Sequence, residues 1–339
     1  MNPSQRRLIE QPYTDMADVL STAYIGRHAD GGLEAIRERI QAESEGRIKP
    51  IRLPWRETNK SLGYGLTPGQ TSLVVGSAGA AKSYLTINIL LEAGRAGFTW
   101  KLLPTEDNAG RWIQRALAVR CGEWRLIAQP ESDSAEDRKR IGDAQLMAMD
   151  ANPELTKELY ANIYENPRLP IDDGNGGKTV PDLPYEKVLT FLEMITQNCD
   201  IIAVDCLSQI DFSVDGKDYP GQNAFMRRVV GIAASSGCHI LLVGHHGKGG
   251  GDRASMDRIQ GTSLFNRLAH NLLELSRNDP AAESEIYSRM ISMVEHRHTL
   301  SILKCRGGQS GDRIAMDLDA NGPVFIEHGR IKAKAKGRK

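Results

Sequence analysis

The residues with the clearest chemical pattern are Val74-Val75-Gly76-Ser77-Ala78-Gly79-Ala80-Ala81-Lys82-Ser83. An apolar strand from Ser72 to Val75 runs into a small-residue turn, and a helix opens at Lys82. Backbone N–H groups of such a turn and of the helix N-terminus face an anion. Lys82 adds a positive point charge, and the Ser83 hydroxyl is placed to ligate Mg²⁺. The pattern G-x-x-x-x-G-K-[ST] has Ala81 where its second glycine belongs, which a methyl group tolerates if the residue sits near helical dihedrals. Two carboxylates complete the candidate chemistry. Asp205 closes the apolar run Ile201-Ile202-Ala203-Val204, the place from which a strand-tip carboxylate holds Mg²⁺ beside phosphate oxygens. Glu106 stands at the tip of another strand, where loops gather at the carboxyl edge of a parallel sheet. There it can activate an attacking water, with Asp107 as a neighbouring competitor.

These positions require strands that end on one edge and helices that return the chain. The sequence supplies them. Helix Tyr84 to Ala93 is closed by Gly94 and Gly97, and strand Phe98 to Leu103 leads into helix Arg111 to Val119. Helix Tyr185 to Asn198 precedes strand 201–205. Loop 211–221 and helix Asn223 to Ser235 precede strand His239 to Val243, and a glycine- and arginine-rich loop occupies 247–258. Five short strands then follow: Asn271 to Leu275, Met290 to Val294, Leu300 to Lys304, Arg313 to Leu318 and Pro323 to Glu327. The alternation predicts an α/β fold with a mostly parallel central sheet, helices on both faces and antiparallel strands at its C-terminal edge. Residues 122–185 are polar and read as a helical insertion, one helix from Ala135 to Tyr164 and an exposed loop around Asp172 to Gly177. The division is a helical N-terminal arm over 1–50, a catalytic domain over 51–328 and a basic disordered tail over 329–339. The arm is too short for a core of its own and is expected to dock on the main domain or on a neighbouring subunit.

Composition excludes more than it selects. Lys+Arg and Asp+Glu are equal at 43 each, so net charge makes no argument for nucleic acid. Five cysteines show no C-x-x-C spacing and are expected to be buried, reduced thiols. The absence of a long apolar run and of a leader-like segment predicts a cytoplasmic protein with no membrane contact.

Four stretches carry a resemblance: the phosphate loop, Thr105-Glu106 through Arg115-Ala116-Leu117-Ala118, the Asp205 strand, and the run from 240 to about 318. Together they resemble the ATPase domain of the DnaB-type ring helicases, a RecA-like group that includes phage and plasmid replicative helicases. The resemblance covers roughly residues 50–325, and 122–185 matches it poorly. It implies ATP with Mg²⁺ as the ligands, Glu106 as the catalytic carboxylate, and Arg115, nine residues later, against the nucleotide base. It implies a polar sensor at His245-His246, with the pattern H-x-K favouring His246 before Lys248; metal ligation by vicinal histidines has no Cys, Asp or His at matching spacing to support it. The run Lys304-Cys305-Arg306-Gly307-Gly308 resembles the family's K-x-R hairpin, in which Lys304 and Arg306 serve the neighbouring subunit's nucleotide. Cations supplied in trans imply a homo-oligomer, by resemblance a hexameric ring. Single-stranded DNA is the implied partner, met by Lys217, Lys248, Arg253 and Arg258 and by glycine N–H groups. Primase or loader proteins are further implied partners, and a phage-encoded protein would work in the bacterial host cytoplasm. A RecA-like recombination or regulatory ATPase that does not unwind DNA is the alternative.

Overall fold

Alternate residues of the parallel strands feed two separate cores. Val74, Leu102, Ile201, Ala203 and Leu241 face one; Leu73, Val75, Leu103, Ile202 and Leu242 face the other. A strand whose side chains are apolar on both faces is buried on both, as a parallel sheet between two helical layers requires. In this computed structural model the described residues are 37–38, 40–46, 48–127, 134–166, 171–172, 178–245, 263–287 and 292–332. The chain divides into two compact units, Met1–Lys49 and Pro50–Lys339. In the first, residues 40–44 are helical.

The elements of the second unit are helix α1 (Arg56–Ser61), strand β1 (Thr71–Gly76), α2 (Lys82–Arg95), β2 (Trp100–Pro104), α3 (Ala109–Cys121), α4 (Ala135–Ala151), α5 (Pro153–Asn162) and α6 (Tyr185–Ile195). Then come β3 (Ile201–Asp205), α7 (Asp218–Ser236), β4 (His239–His245), α8 (Ser263–Leu268), β5 (Asn271–Tyr287), β6 (Ser292–Cys305), β7 (Arg313–Leu318) and β8 (Phe325–Ile331). One eight-stranded sheet runs in the order β6-β7-β8-β5-β1-β4-β3-β2. From β5 to β2 the pairings are parallel, and β6, β7 and β8 add antiparallel ones. Helix α2 buries nine of its 14 residues, six of them apolar from Leu85 to Ala93, as suits a helix wedged between a sheet and a second helix. On the opposite face α6 and α7 contribute Val188, Leu192, Phe225, Met226 and Val229.

Five expectations change. Three of the late short strands are instead a pair of long ones: β5 and β6 pair from Ser292↔Ile286 to Cys305↔Asn271. The polar Ser276–Glu285 stretch, which lies between two of the expected strands, is paired because each arm satisfies the other's backbone groups there. The insertion's single helix is two, broken at Asn152 because Pro153 cannot follow a helical residue without a clash and instead takes the first position of α5. Loop 211–221 is shorter than its composition implies, since α7 starts at Asp218 and holds Pro220 in its first turn, where the missing N–H has no intrahelical partner to lose. Strand β8 runs through Ile331, past the expected tail boundary at 329. The remaining change is at Ala81, which is left-handed and not helical. The loop around Asp172 to Gly177 and the tail from 333 lie almost entirely outside the described residues.

The two ends of this unit are tied together. Trp55 Nε1 donates to the Phe325 carbonyl at 2.9 Å, and the Glu327 carboxylate accepts from the N–H groups of Glu57 (2.7 Å) and Thr58 (2.9 Å) and from the Thr58 hydroxyl (2.8 Å). A carboxylate from β8 thereby caps the N-terminus of α1, a favourable place for negative charge. Among the described residues no helix is long and apolar enough to cross a membrane.

Candidate functional site

Strands β1, β4, β3 and β2 all end on one edge, and their last residues or the turns after them meet in a cleft of about 530 Å³. The turn from Gly76 to Ala81 forms its floor. Gly76 is required by packing: a Cβ there would lie 2.3 Å from the Leu275 carbonyl oxygen of β5. Gly79 has φ 74° and open space around it, which a left-handed turn facing a ligand demands. Ala81, at φ 69° and ψ 28°, is also left-handed, not helical as expected. Its Cβ crowds the following carbonyl there, a cost of roughly 1–2 kcal/mol that glycine avoids. Ala81→Gly is therefore expected to raise stability by about 1 kcal/mol after glycine's larger chain entropy is subtracted. An upward shift of a few degrees in thermal midpoint checks it; a lower midpoint contradicts the strain.

Lys82 opens α2 and is buried. Its Nζ donates to the carbonyls of Gly76 (3.0 Å) and Ser77 (2.9 Å) and lies 3.2 Å from His245 Nδ1. Burial lowers its pKa, opposed by the nearby Asp205, Cys206 and Glu106. Ser83 Oγ donates to Asp205 Oδ2 at 2.9 Å. Asp205 is held at the end of β3 by its pairings with Pro104 and Val243. Its burial pushes the carboxyl up to about 6, with the Ser83 hydrogen bond pulling the other way. Burial outweighs the attraction of Lys82 in raising this acid, so a further cation would favour the ionised carboxylate. Lys82, Ser83 and Asp205 therefore suit a phosphate and a divalent metal, which keeps the carboxylate ionised.

The raised acid has a stability consequence of fixed sign. Its folded value lies above the unfolded one, so its contribution is fully present below about pH 4 and is lost as pH rises through about 6. Two pH units correspond to roughly 3 kcal/mol at most. Without ligand, Asp205→Asn should gain on the parent protein by up to that amount between pH 4.5 and 8, at roughly equal stability at the acid end. Parallel unfolding of both proteins without metal measures the difference; a constant gap across pH would refute it.

Glu106 follows β2, half exposed, with Oε2 3.9 Å from His245 Nε2. His245 is the last residue of β4 and lines the cleft. His246, Lys248, Arg253 and Arg258 lie outside the described residues. Arg115 on α3 lines the cleft too: it pairs with Asp107 at 2.6 Å, and its guanidinium lies 5.2 Å from the Trp112 ring and 6.0 Å from the Tyr84 ring. Sequence reasoning missed the far wall. Arg277, Arg297, His298 and Asp317 come from β5, β6 and β7, and no local spacing ties them to the phosphate loop.

Lys304 and Arg306 do not line this cleft. Lys304 Nζ donates to the carbonyls of Asn266 (2.8 Å), Arg267 (2.8 Å) and Ala269 (2.7 Å), which uses all three of its hydrogens on the end of α8. Arg306 donates to the Arg267 carbonyl at 3.1 Å and is exposed. Lys217 stands exposed just before α7. Beside it a second cavity, of about 240 Å³, is lined by Asp182, Asp211 and Asp218 and reaches His245.

A parallel-stranded sheet with a phosphate loop and a strand-tip aspartate at its carboxyl edge defines a P-loop NTPase domain of the RecA-like type. The sequence matches the AAA domain family AAA_25 over residues 38–251, and the chain belongs to that family. Its fold is shared with an ATPase domain of known structure, at a TM-score of 0.63 and 13% identity over 88% of this chain and 98% of that one. It is also shared with a DnaB-like replicative helicase studied with its interactions with primase, at a TM-score of 0.62 and 13% identity over 95% of this chain and 76% of that one. No curated protein matches the chain in sequence.

Proposed function

We propose that the chain is an ATP-dependent DNA helicase of the DnaB-like replicative type, hydrolysing ATP at subunit interfaces to move along single-stranded DNA. The observation that carries it is the convergence of Lys82, Ser83, Asp205, Glu106 and His245 in one cleft on a helicase-type ATPase fold. Lys82 and the N–H groups of residues 76–83 neutralise and seat the phosphates. Ser83 and Asp205 would hold Mg²⁺, whose charge favours the leaving phosphate. Glu106 accepts the proton of the attacking water, and its exposure lets water reach it. His245 spans Lys82 and Glu106 and so feels whether a terminal phosphate is present. Arg115 stacks against the base, steadied by Asp107. Arg306 reaches the next subunit's phosphates in a homo-oligomeric, by likeness hexameric, ring; Lys304 joins it once it lets go of α8. Lys217, Lys248, Arg253 and Arg258 meet the DNA backbone, and primase or a loader is the expected protein partner.

A second reading, a RecA-like regulatory ATPase that does not unwind duplex, draws support from the acidic cavity beside Lys217, which repels a phosphate backbone. One sample separates the two. ATP turnover is measured with and without single-stranded DNA, on material whose mass is determined with nucleotide present, followed by displacement of a forked duplex. Stimulated turnover with displacement supports the helicase, stimulation alone supports the second reading, and a strictly monomeric, inert sample removes both.

A further inference from the structure

At the opposite edge of the sheet, Cys199 and Cys238 bring their sulfurs to 3.5 Å. Both are free and buried, and they lie 39 residues apart in sequence. The sheet fixes this meeting. Cys199 sits two residues before β3 and Cys238 one residue before β4, and Ile201 pairs with His239 in the parallel register of these adjacent strands. The His239 N–H donates to the Asp200 carbonyl at 2.8 Å, which locks the two strand starts together. Continuing that register puts Cys238 opposite Asp200, so the two cysteines are offset by one residue: a strand spacing of about 4.8 Å and a rise of about 3.3 Å give a Cα separation of about 5.8 Å, inside the 4.4–6.8 Å window of a disulfide. Closing the sulfurs from 3.5 Å to a bond of about 2.05 Å is a movement of about 1.5 Å.

We propose that Cys199 and Cys238 form a redox-active dithiol that closes to an intramolecular disulfide when a hydroperoxide is the oxidant. The thiolate of Cys199 attacks a peroxide oxygen, and the O–O bond breaks to give a sulfenic acid and hydroxide, which takes up the proton Cys199 had released and leaves as water. The Cys238 sulfur then attacks the Cys199 sulfur and displaces hydroxide, which leaves as a second water with the Cys238 proton. Two thiols and one hydrogen peroxide thus become one disulfide and two waters. The roles are unequal for physical reasons. Both residues are buried, Cys199 less deeply; its thiolate is favoured by the S–H of Cys238, against its own burial, and by Lys101, whereas that same thiolate and burial hold Cys238 protonated. Cys206 lacks such a partner thiol: its sulfur lies 2.6 Å from the Ser208 hydroxyl. In a reducing compartment the pair stays a dithiol, so it senses oxidant instead of serving as a permanent staple. The disulfide would join the starts of β3 and β4, whose far ends carry Asp205 and His245. None of this depends on the nucleotide reading.

The test uses the full chain, folded and without nucleotide, treated with hydrogen peroxide. It is then denatured, alkylated and digested. A single cross-linked peptide pair containing Cys199 and Cys238, lighter by two hydrogens, is expected, with Cys121, Cys206 and Cys305 still alkylated. The thermal midpoint should rise by several degrees and return with dithiothreitol. In Cys238→Ser, a 1,3-diketone probe should trap a sulfenic acid at Cys199 that the parent protein does not accumulate. Both thiols remaining alkylatable, pairing of either with another cysteine, or overoxidation of Cys199 without a cross-link overturns the proposal.

Discussion

Lys82→Ala is expected to reduce ATP hydrolysis by at least roughly 10²–10³-fold, the loss seen when one positioned donor is removed from a charged transition state. The geometry argues for a large effect. Lys82 is the buried cation of the cleft floor, held by two carbonyls of the loop it closes and within reach of His245. Without it the loop keeps its N–H groups but loses its charge, and Asp205 loses an attractive partner in a buried setting. Weaker nucleotide binding should accompany the lost turnover, and the fold should survive, since no apolar contact of α2 depends on the ammonium. Steady-state hydrolysis with a folding control checks it. Turnover within tenfold of the parent would remove the phosphate assignment of the cleft.

Arg306→Ala is expected to lower hydrolysis by roughly 10³–10⁵-fold, the range for an arginine that meets developing phosphoryl charge, while nucleotide binding stays near normal. That split follows from placement: Arg306 is exposed and lies outside the cleft its own chain forms, so it cannot contribute to filling that cleft. Mixing decides where it acts. In a mixed ring an Arg306→Ala subunit offers an intact Lys82, and a Lys82→Ala neighbour offers an intact Arg306. Such interfaces should hydrolyse ATP although neither pure protein does. If both cations had to come from one chain, mixing would restore nothing, and the trans assignment would fall.

What could be read from sequence was whatever a strand, a turn and the next helix place together. Lys82, Ser83, Asp205 and Glu106 sit at predictable strand tips, and the parallel sheet gathers tips on one edge whatever the loops do. Boundaries failed where a single residue outweighed composition, as at Pro153, or where long-range pairing rescued a polar stretch, as in β5 and β6. His245 lines the cleft and His246 lies outside the described residues, and spacing alone does not reveal which of two successive strand side chains faces a ligand. Arg277, Arg297, His298 and Asp317 were invisible because three antiparallel strands bring them in from positions distant in the chain. Lys304 illustrates a different limit. Its place in a K-x-R pattern resembles a trans cation, yet in this conformation its hydrogens are spent on α8, which only coordinates could reveal.

The knot formed by Trp55, Thr58, Phe325 and Glu327 bears on how this domain tolerates cutting and joining. Start and finish of this unit are sewn to one another, so neither can be trimmed independently: a chain stopped short of Phe325 would strip the opening helix of its acidic cap and its aromatic lid at once. The same closeness makes this seam the natural place to splice the old ends and open new ones elsewhere.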